Sequence, residues 1–234
     1  MNLPDRRSWL AAAGALLFSA GAPRPAPGEP LERTDRTMTY DYLFFDLARD
    51  APLAELARTA ISAPGEMVGA FRPQLGWHAR QAAILARWPE AAPTRETAIR
   101  TLRGAAGVEG LRRDRLTPTL RPAAADRPPP GGIYVHRWFV VGTSDLPEFL
   151  DLSAKGWPDF EARFDAHIFG LFQAEQTLED SASGATRLLL ITRYADHGVW
   201  EASRDPTTEA MAAFMRRQKL TRDTWAASTL LVPV

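Results

Sequence analysis

The 234-residue sequence has no cysteine, so a disulfide framework, a thiolate nucleophile and a cysteine-based zinc site are all excluded. It has no net charge either, with 28 Lys and Arg set against 28 Asp and Glu. Without a broad positive field to hold a phosphate backbone, no nucleic-acid partner is expected. Lysine is almost missing: Lys155 and Lys219 leave 26 of the 28 cations as arginine. Together with abundant alanine, that bias reads as a coding preference rather than as arginine chemistry. The usual catalytic signatures are missing as well, with no G-x-S-x-G, no Walker-type loop and no H-E-x-x-H. The glycine-rich string from Gly104 to Gly110 has the wrong spacing for a dinucleotide turn and follows a helical stretch instead of a strand. The apolar run near the start, residues 9–20, is 12 residues long and too short to span a membrane. What is present, 45% hydrophobic and 24% charged residues, is the composition of a folded globular chain.

The short run follows Asp5-Arg6-Arg7-Ser8-Trp9-Leu10 and has no polar face, so it does not read as an ordinary amphipathic helix. The arginine pair, the bulky aromatic, the Leu and the modest apolar core resemble a twin-arginine export signal, with Trp9 where such signals usually carry Phe. Residues 1–22 are therefore expected to be a signal, processed near Ala20-Gly21-Ala22, and the mature protein to be periplasmic with no membrane span. Residues 23–38, rich in Pro and charge, read as an extended linker.

A second Pro/Gly break at 123–131, including Pro128-Pro129-Pro130, separates a first domain, 39–122, from a second, 132–234. The same signals recur on each side. In the first, an aromatic strand (39–47) leads to a helix capped by Asp50, with Leu53, Leu56, Ala57 and Ala60 on one face. Strands at 66–75 and 80–88, a helix over 94–103 with Ile99 and Leu102 inward, and an edge strand at 115–121 that must accommodate Pro118 complete it. In the second, a strand (133–141) precedes a helix marked by Leu146, Phe149, Ser153, Trp157, Phe160 and Phe164, with a kink at Pro158. Strands at 167–176 and 187–194, joined by a turn at 179–184, lead to a helix over 208–219 that buries Met211, Phe214 and Met215. The basic end of that helix suits its dipole. A last strand covers 225–232. Each half is thus β-α-β-β-α-β, the α+β ferredoxin-like unit. Short echoes support a duplication: Val68-Gly69-Ala70-Phe71 beside Phe169-Gly170-Leu171-Phe172, and Thr119-Leu120-Arg121-Pro122 beside Leu230-Leu231-Val232-Pro233. Helices on one sheet face leave the other face to be covered, so the tandem repeats are expected to pack as an α/β barrel.

Trp157-Pro158-Asp159-Phe160-Glu161, Ile168-Phe169-Gly170-Leu171-Phe172, the run 186–194, Trp200-Glu201-Ala202-Ser203-Arg204 and the run 220–231 resemble the NIPSNAP family, within the dimeric α/β-barrel superfamily. The first half is similar through residues 40–47, Val68-Gly69 and residues 85–88. The resemblance implies the barrel fold and leaves the activity open, because the family's molecular activity is poorly defined. The family's first strand typically carries E-x-R-x-Y. Arg137 matches the Arg, whereas Val135 and Phe139 replace the other two. In the first half the same pattern falls on Asp41, Leu43 and Phe45, where only the acid survives. Where NIPSNAP proteins often place Asn, His and Trp, this chain has Thr186, Leu190 and Thr192, and in the first half Arg80, Ile84 and Ala86.

The four histidines, His78, His136, His167 and His197, show no ligand spacing, and no metal site is expected. His78, His167 and His197 read as surface or strand-end residues, whereas His136 lies within a buried-looking strand. Alternation puts Tyr134, His136, Trp138 and Val140 on one face of that strand, and Val135, Arg137, Phe139 and Val141 on the other. One face must meet the helices and the other the barrel interior. Candidate ligand-binding residues lining the barrel are Arg137, Asp41, Arg80, Phe139, Thr192, Tyr194 and His136. Asp41 and Arg137 could complement each other across the barrel, as a structural or a functional pair, because a buried guanidinium needs a partner. No catalytic residue and no cofactor are assigned. The expectation is an exported barrel protein, able to form a homo-oligomer, that binds a small apolar ligand. The superfamily resemblance implies an alternative, a cofactor-free monooxygenase-like or haem-binding enzyme. A protein-interaction module is the third reading.

Overall fold

A computed structural model describes residues 38–49, 51–61, 64–90 and 92–233. The expected signal, the linker up to residue 37 and the Asp50 cap lie outside the described residues. The first half comprises β1 (Met38–Leu47), α1 (Leu53–Ala60), β2 (Glu66–Leu75), β3 (Gln81–Pro89), α2 (Arg95–Arg103) and β4 (Val108–Arg121). The second comprises β5 (Ile133–Gly142), α3 (Leu146–Arg163), β6 (Ala166–Ala174), α4 (Leu178–Ser183), β7 (Ala185–Tyr194), α5 (His197–Ala202), α6 (Glu209–Gln218) and β8 (Thr221–Leu231). Both halves keep the β-α-β-β-α-β order, and the second adds two short helices. The expected turn before β7 is one of them, α4, started by a capping box in which Thr177 and Asp180 each accept the other's backbone N–H. The other, α5, starts at Asp196, whose carboxylate accepts the Val199 N–H.

Two expectations shift. β4 begins at Val108 instead of residue 115, because Val108 to Asp114 pairs with β1 although this charged stretch has little apolar alternation. β8 begins at Thr221 instead of residue 225, because Thr221, Asp223 and Thr224 already pair with β5. Among the described residues no helix is long and apolar enough to cross a membrane.

The eight strands close into one antiparallel ring in the order β1-β3-β2-β8-β5-β7-β6-β4, with β4 returning to β1. Each half supplies four adjacent strands, and the β2–β8 and β4–β6 pairings join them. The two ferredoxin-like units therefore form an α/β barrel. Its interior holds Tyr40, Tyr42, Phe71, Tyr134, Trp138 and Phe172 in one apolar cluster. Two further clusters lie outside the wall, one under each half's helices: Leu43, Phe45, Ile84 and Trp88 with Leu53 and Ile99, and Val135, Phe139 and Leu188 with Phe149 and Trp157. Each large apolar side chain buried there contributes roughly 1.5–3 kcal/mol.

The register shows that the halves are repeats of one another. β2 bulges just before Gly69, which pairs with Leu85, and β6 bulges just before Gly170, which pairs with Ile191. In both, a phenylalanine two residues on folds back over the glycine. A Cβ on Gly69 would meet Phe71 at 2.8 Å, and one on Gly170 would meet Phe172 at 2.7 Å, so neither position accepts a side chain. Leu85 and Ile191 are thus equivalent. Through their partners on β1 and β5, Tyr42 matches His136, Leu43 matches Arg137, Ile84 matches Leu190 and Trp88 matches Tyr194.

Candidate functional site

The structure brings four of the seven candidate residues together. Arg137 and Phe139 of β5 and Thr192 and Tyr194 of β7 line one cavity of about 290 Å³. The cavity is not the barrel interior. It lies on the outer face of the second half's sheet, roofed by helices: Trp157 and Phe160 from α3, Trp200 from α5, and Met211, Phe214 and Met215 from α6. α3 and α6 approach closely because α3 carries Gly156 where a Cβ would collide with the Phe214 ring. α5 and the turn after it, with Ser203 and Arg204, close one side.

The other three candidates fall elsewhere. His136 is the one that faces the barrel interior, where it is 1% exposed and its Nδ1 is 2.8 Å from the Tyr42 hydroxyl. Phe71 and Trp77 flank its ring edge to face, and its Nε2 is buried without a partner. Burial pushes this imidazole down to about 3, so it is neutral at any ordinary pH. Arg80 precedes β3, exposed, with Glu109 at 3.6 Å. Asp41 sits under the first half's helix α2. Its carboxylate accepts a bidentate pair from Arg95 at 2.8 and 2.7 Å and a third bond from Arg113 at 2.7 Å. The expected Asp41–Arg137 pair therefore does not form: each residue points outward from the sheet of its own half.

α6 also differs from expectation. Its most buried members are Ala210 and Arg217, while Met215 is half exposed at the cavity wall. Arg217 is 7% exposed. Its guanidinium lies over the rings of Phe139, Phe149 and Phe214 at 5.0, 5.1 and 4.6 Å, and donates to Ser153 Oγ at 3.0 Å. The Ser153 hydroxyl in turn donates to the Phe149 carbonyl at 2.8 Å. Burial, with Arg137 beside it and Tyr194 partly offsetting both, brings Arg217 down to about 9. Burial also lowers Arg137, opposed by Tyr194 and reinforced by Arg204. Tyr194 is raised by burial and held back by Arg137. Arg204 stacks on Trp200 at 5.1 Å. Three arginines thus meet at one apolar cavity, with no Asp, Glu or His among its lining residues.

No protein-family model matches the sequence, and no curated protein sequence matches it. Solved structures do match the fold. A Lactobacillus acidophilus protein assigned as a monooxygenase superposes with a TM-score of 0.53 at 9% identity, over 83% of this chain and 94% of its own. An anthrone oxidase-like protein gives 0.54 at 14%, over 87% and 93%. A variant of the chlorite dismutase from Candidatus Nitrospira defluvii gives 0.57 at 7%, over 86% and 93%. The fold shared with these structures is the dimeric α/β-barrel fold, here with both ferredoxin-like halves supplied by one chain.

The alternative expected from the sequence resemblance, a haem-binding enzyme, bears on the same cavity. A haem iron needs an axial His, Cys, Met or Tyr. Among the described histidines none lines the cavity: His136 is inside the barrel, His167 lies beside Glu161 at 3.3 Å, His197 Nε2 meets Ser228 Oγ at 2.8 Å, and His78 is exposed. The residues lining this cavity do not fit a histidine-ligated haem.

Proposed function

We propose that this is an exported NIPSNAP-like α/β-barrel protein that binds a small, mostly apolar molecule in the helix-roofed cavity of its second half. The observation that carries this reading is the cavity itself. Its volume, about 290 Å³, its aromatic and Met-rich walls and its few convergent polar groups are those of a small-molecule site. The barrel interior is packed with its own aromatic side chains, and the cavity of about 320 Å³ beside Tyr42 and Trp138 is lined by the ion pair Arg187–Asp114 and by Arg112, so it is the less suitable place for an apolar molecule.

Several fold neighbours bear enzyme names, a monooxygenase and a chlorite dismutase among them, and an enzyme acting in this cavity is the second reading. The donor set favours binding over acid–base chemistry. General base catalysis at neutral pH needs a group that can accept a proton, and these walls offer arginines and a tyrosine held above its usual range.

Trp157 and Trp200 line the cavity, so their fluorescence reports occupancy directly. Titration with a naphthalene-sized apolar compound should quench or shift that emission saturably. Leu190→Phe, which fills the cavity from the sheet side, should abolish the signal while leaving the circular dichroism unchanged. Saturable binding that survives Leu190→Phe would overturn the assignment to this cavity. The export part of the reading rests on Arg6-Arg7 and the apolar run after them. Replacing both arginines with lysine should move the protein from the periplasmic to the cytoplasmic fraction, and an unchanged distribution would refute a twin-arginine route. Native mass spectrometry of the exported protein would report oligomeric state and bound mass together.

A further inference from the structure

Most of the buried or half-buried arginines in this protein are held by carboxylates. Arg95 and Arg113 meet Asp41, Arg121 meets Glu161 at 2.7 Å, Arg187 meets Asp114 and Asp180 at 2.7 and 3.0 Å, and Arg193 meets Asp165. The cavity departs from that pattern. Among the described residues, no carboxylate pairs with half-buried Arg137 or buried Arg217, nor with Arg204, which is exposed where it stacks on Trp200. Arg137 is half-buried on the sheet floor and makes no hydrogen bond with the described residues, and Arg217 has one neutral hydroxyl and three aromatic faces in place of an anion. At the place equivalent to Arg137, the first half carries Leu43.

A guanidinium taken out of water without an opposite charge is costly, and three like charges around one small volume repel one another as well. The arrangement lowers in energy when a negative group enters. Guanidinium forks match the two oxygens of a carboxylate, and the walls around them are aromatic and thioether surfaces that would reject a strongly hydrated multivalent ion.

Resting on the reading that this cavity binds a small apolar molecule, we propose that its occupant is a monovalent organic carboxylate. Arg137 and Arg204 take the carboxylate, Arg217 supplies a fixed charge behind it, and the apolar body lies between Phe160, Phe214 and Leu190.

Isothermal titration of the full-length protein with 2-naphthoate and with its neutral isostere 2-naphthamide tests this, and decanoate against decanol repeats the test for an aliphatic body. The carboxylate should bind about tenfold or more tightly than the neutral partner, and the gap should narrow as salt is raised. Arg137→Gln and Arg204→Gln should each lower carboxylate affinity by a larger factor than they change binding of the neutral compound, so that the gap between the two partners narrows. Equal affinity for the two members of both pairs overturns the anion assignment and leaves the cavity reading standing. Failure of all four compounds to bind overturns both. A preference for the carboxylate that persists in the double variant Arg137→Gln/Arg204→Gln assigns the anion to another surface and overturns the proposal.

Discussion

In the first half of the barrel, Leu43, Ile84 and Trp88 point toward α1 and α2 and are fully buried. In the second half, Arg137, Leu190 and Tyr194 hold the same places and face a cavity. The strand register hardly differs, down to the bulge before Gly69 and Gly170, so the backbone does not decide which half is open. Side chains and roof do. The first half lays two short helices, of eight and nine residues, directly on a largely apolar sheet and neutralises Asp41 there with Arg95 and Arg113. The second half lays an 18-residue α3 beside α6, inserts α5, and puts on the floor Arg137, which has no carboxylate partner among the described residues. At these equivalent positions one repeat is closed by packing and its copy holds a cavity, while the first half's own cavity lies elsewhere, beside Leu47, Arg72 and His78.

The largest expected effect comes from breaking the closed half. Asp41 is 0% and Arg95 3% exposed, so Asp41→Ala leaves Arg95 buried with no counter-charge. A loss of about 3–5 kcal/mol is expected, measured by urea unfolding at pH 7. A loss under about 1 kcal/mol would mean that the network relaxes into water, which is the usual result for an exposed pair.

The next effect compares one position across the repeats. Ile84→Ala removes packed atoms from a filled core and should cost about 2–5 kcal/mol. Leu190→Ala should cost no more than about 2 kcal/mol, because one side of that residue already faces open volume and fewer contacts are lost. Equal costs would show that the second half is packed as tightly as the first.

A third comparison lies inside the barrel, where Tyr42 and His136 occupy the same repeat position and share one hydrogen bond. Burial holds the His136 imidazole at about 3, against about 6.5 in the unfolded chain. Above that unfolded value neither state carries the proton, and His136 adds no pH dependence. As pH falls below it, the unfolded chain takes up a proton that the folded chain refuses until about 3, so stability drops by about 1.4 kcal/mol per unit. Between pH 7 and 5 the parent should therefore lose about 2 kcal/mol more than His136→Gln, which keeps an acceptor for Tyr42. Parallel losses in the two proteins would show that the imidazole is not kept neutral.

Element order and type were readable because aromatic and β-branched strands alternate with amphipathic helices, and β2 falls where the pattern puts it, at Glu66–Leu75. The side of each strand was not. Both faces of β5 are buried, Tyr134, His136 and Trp138 inward and Val135 and Phe139 under helices, so hydrophobicity cannot tell them apart. This is why Arg137, Phe139, Thr192 and Tyr194 could be grouped from sequence and still be assigned to the wrong side of the wall. Arg217 was hidden for another reason: a cation in the last turn of a helix already suits the dipole. The available signal was its spacing of three from Phe214 and seven from Ala210, which puts it on the inward face. The first half's arginine network was illegible because Arg95 and Arg113 are far from Asp41 in sequence, and only the fold brings them together.

The smallest effect tests whether the open half can be closed. Arg137→Leu puts the first half's residue, Leu43, at the equivalent place. If Arg137 were a structural cation with a partner, its loss would destabilise the fold. If it is an unpaired charge kept for a ligand, removing it relieves a desolvation cost and adds apolar contact with Leu190 and Phe139, and stability should rise by about 1 kcal/mol. The same substitution should weaken carboxylate binding in the titration. Stability and binding moving in opposite directions is the signature of a residue retained for function at the expense of the fold, whereas a fall in both would return Arg137 to the structural role that Asp41 has in the first half.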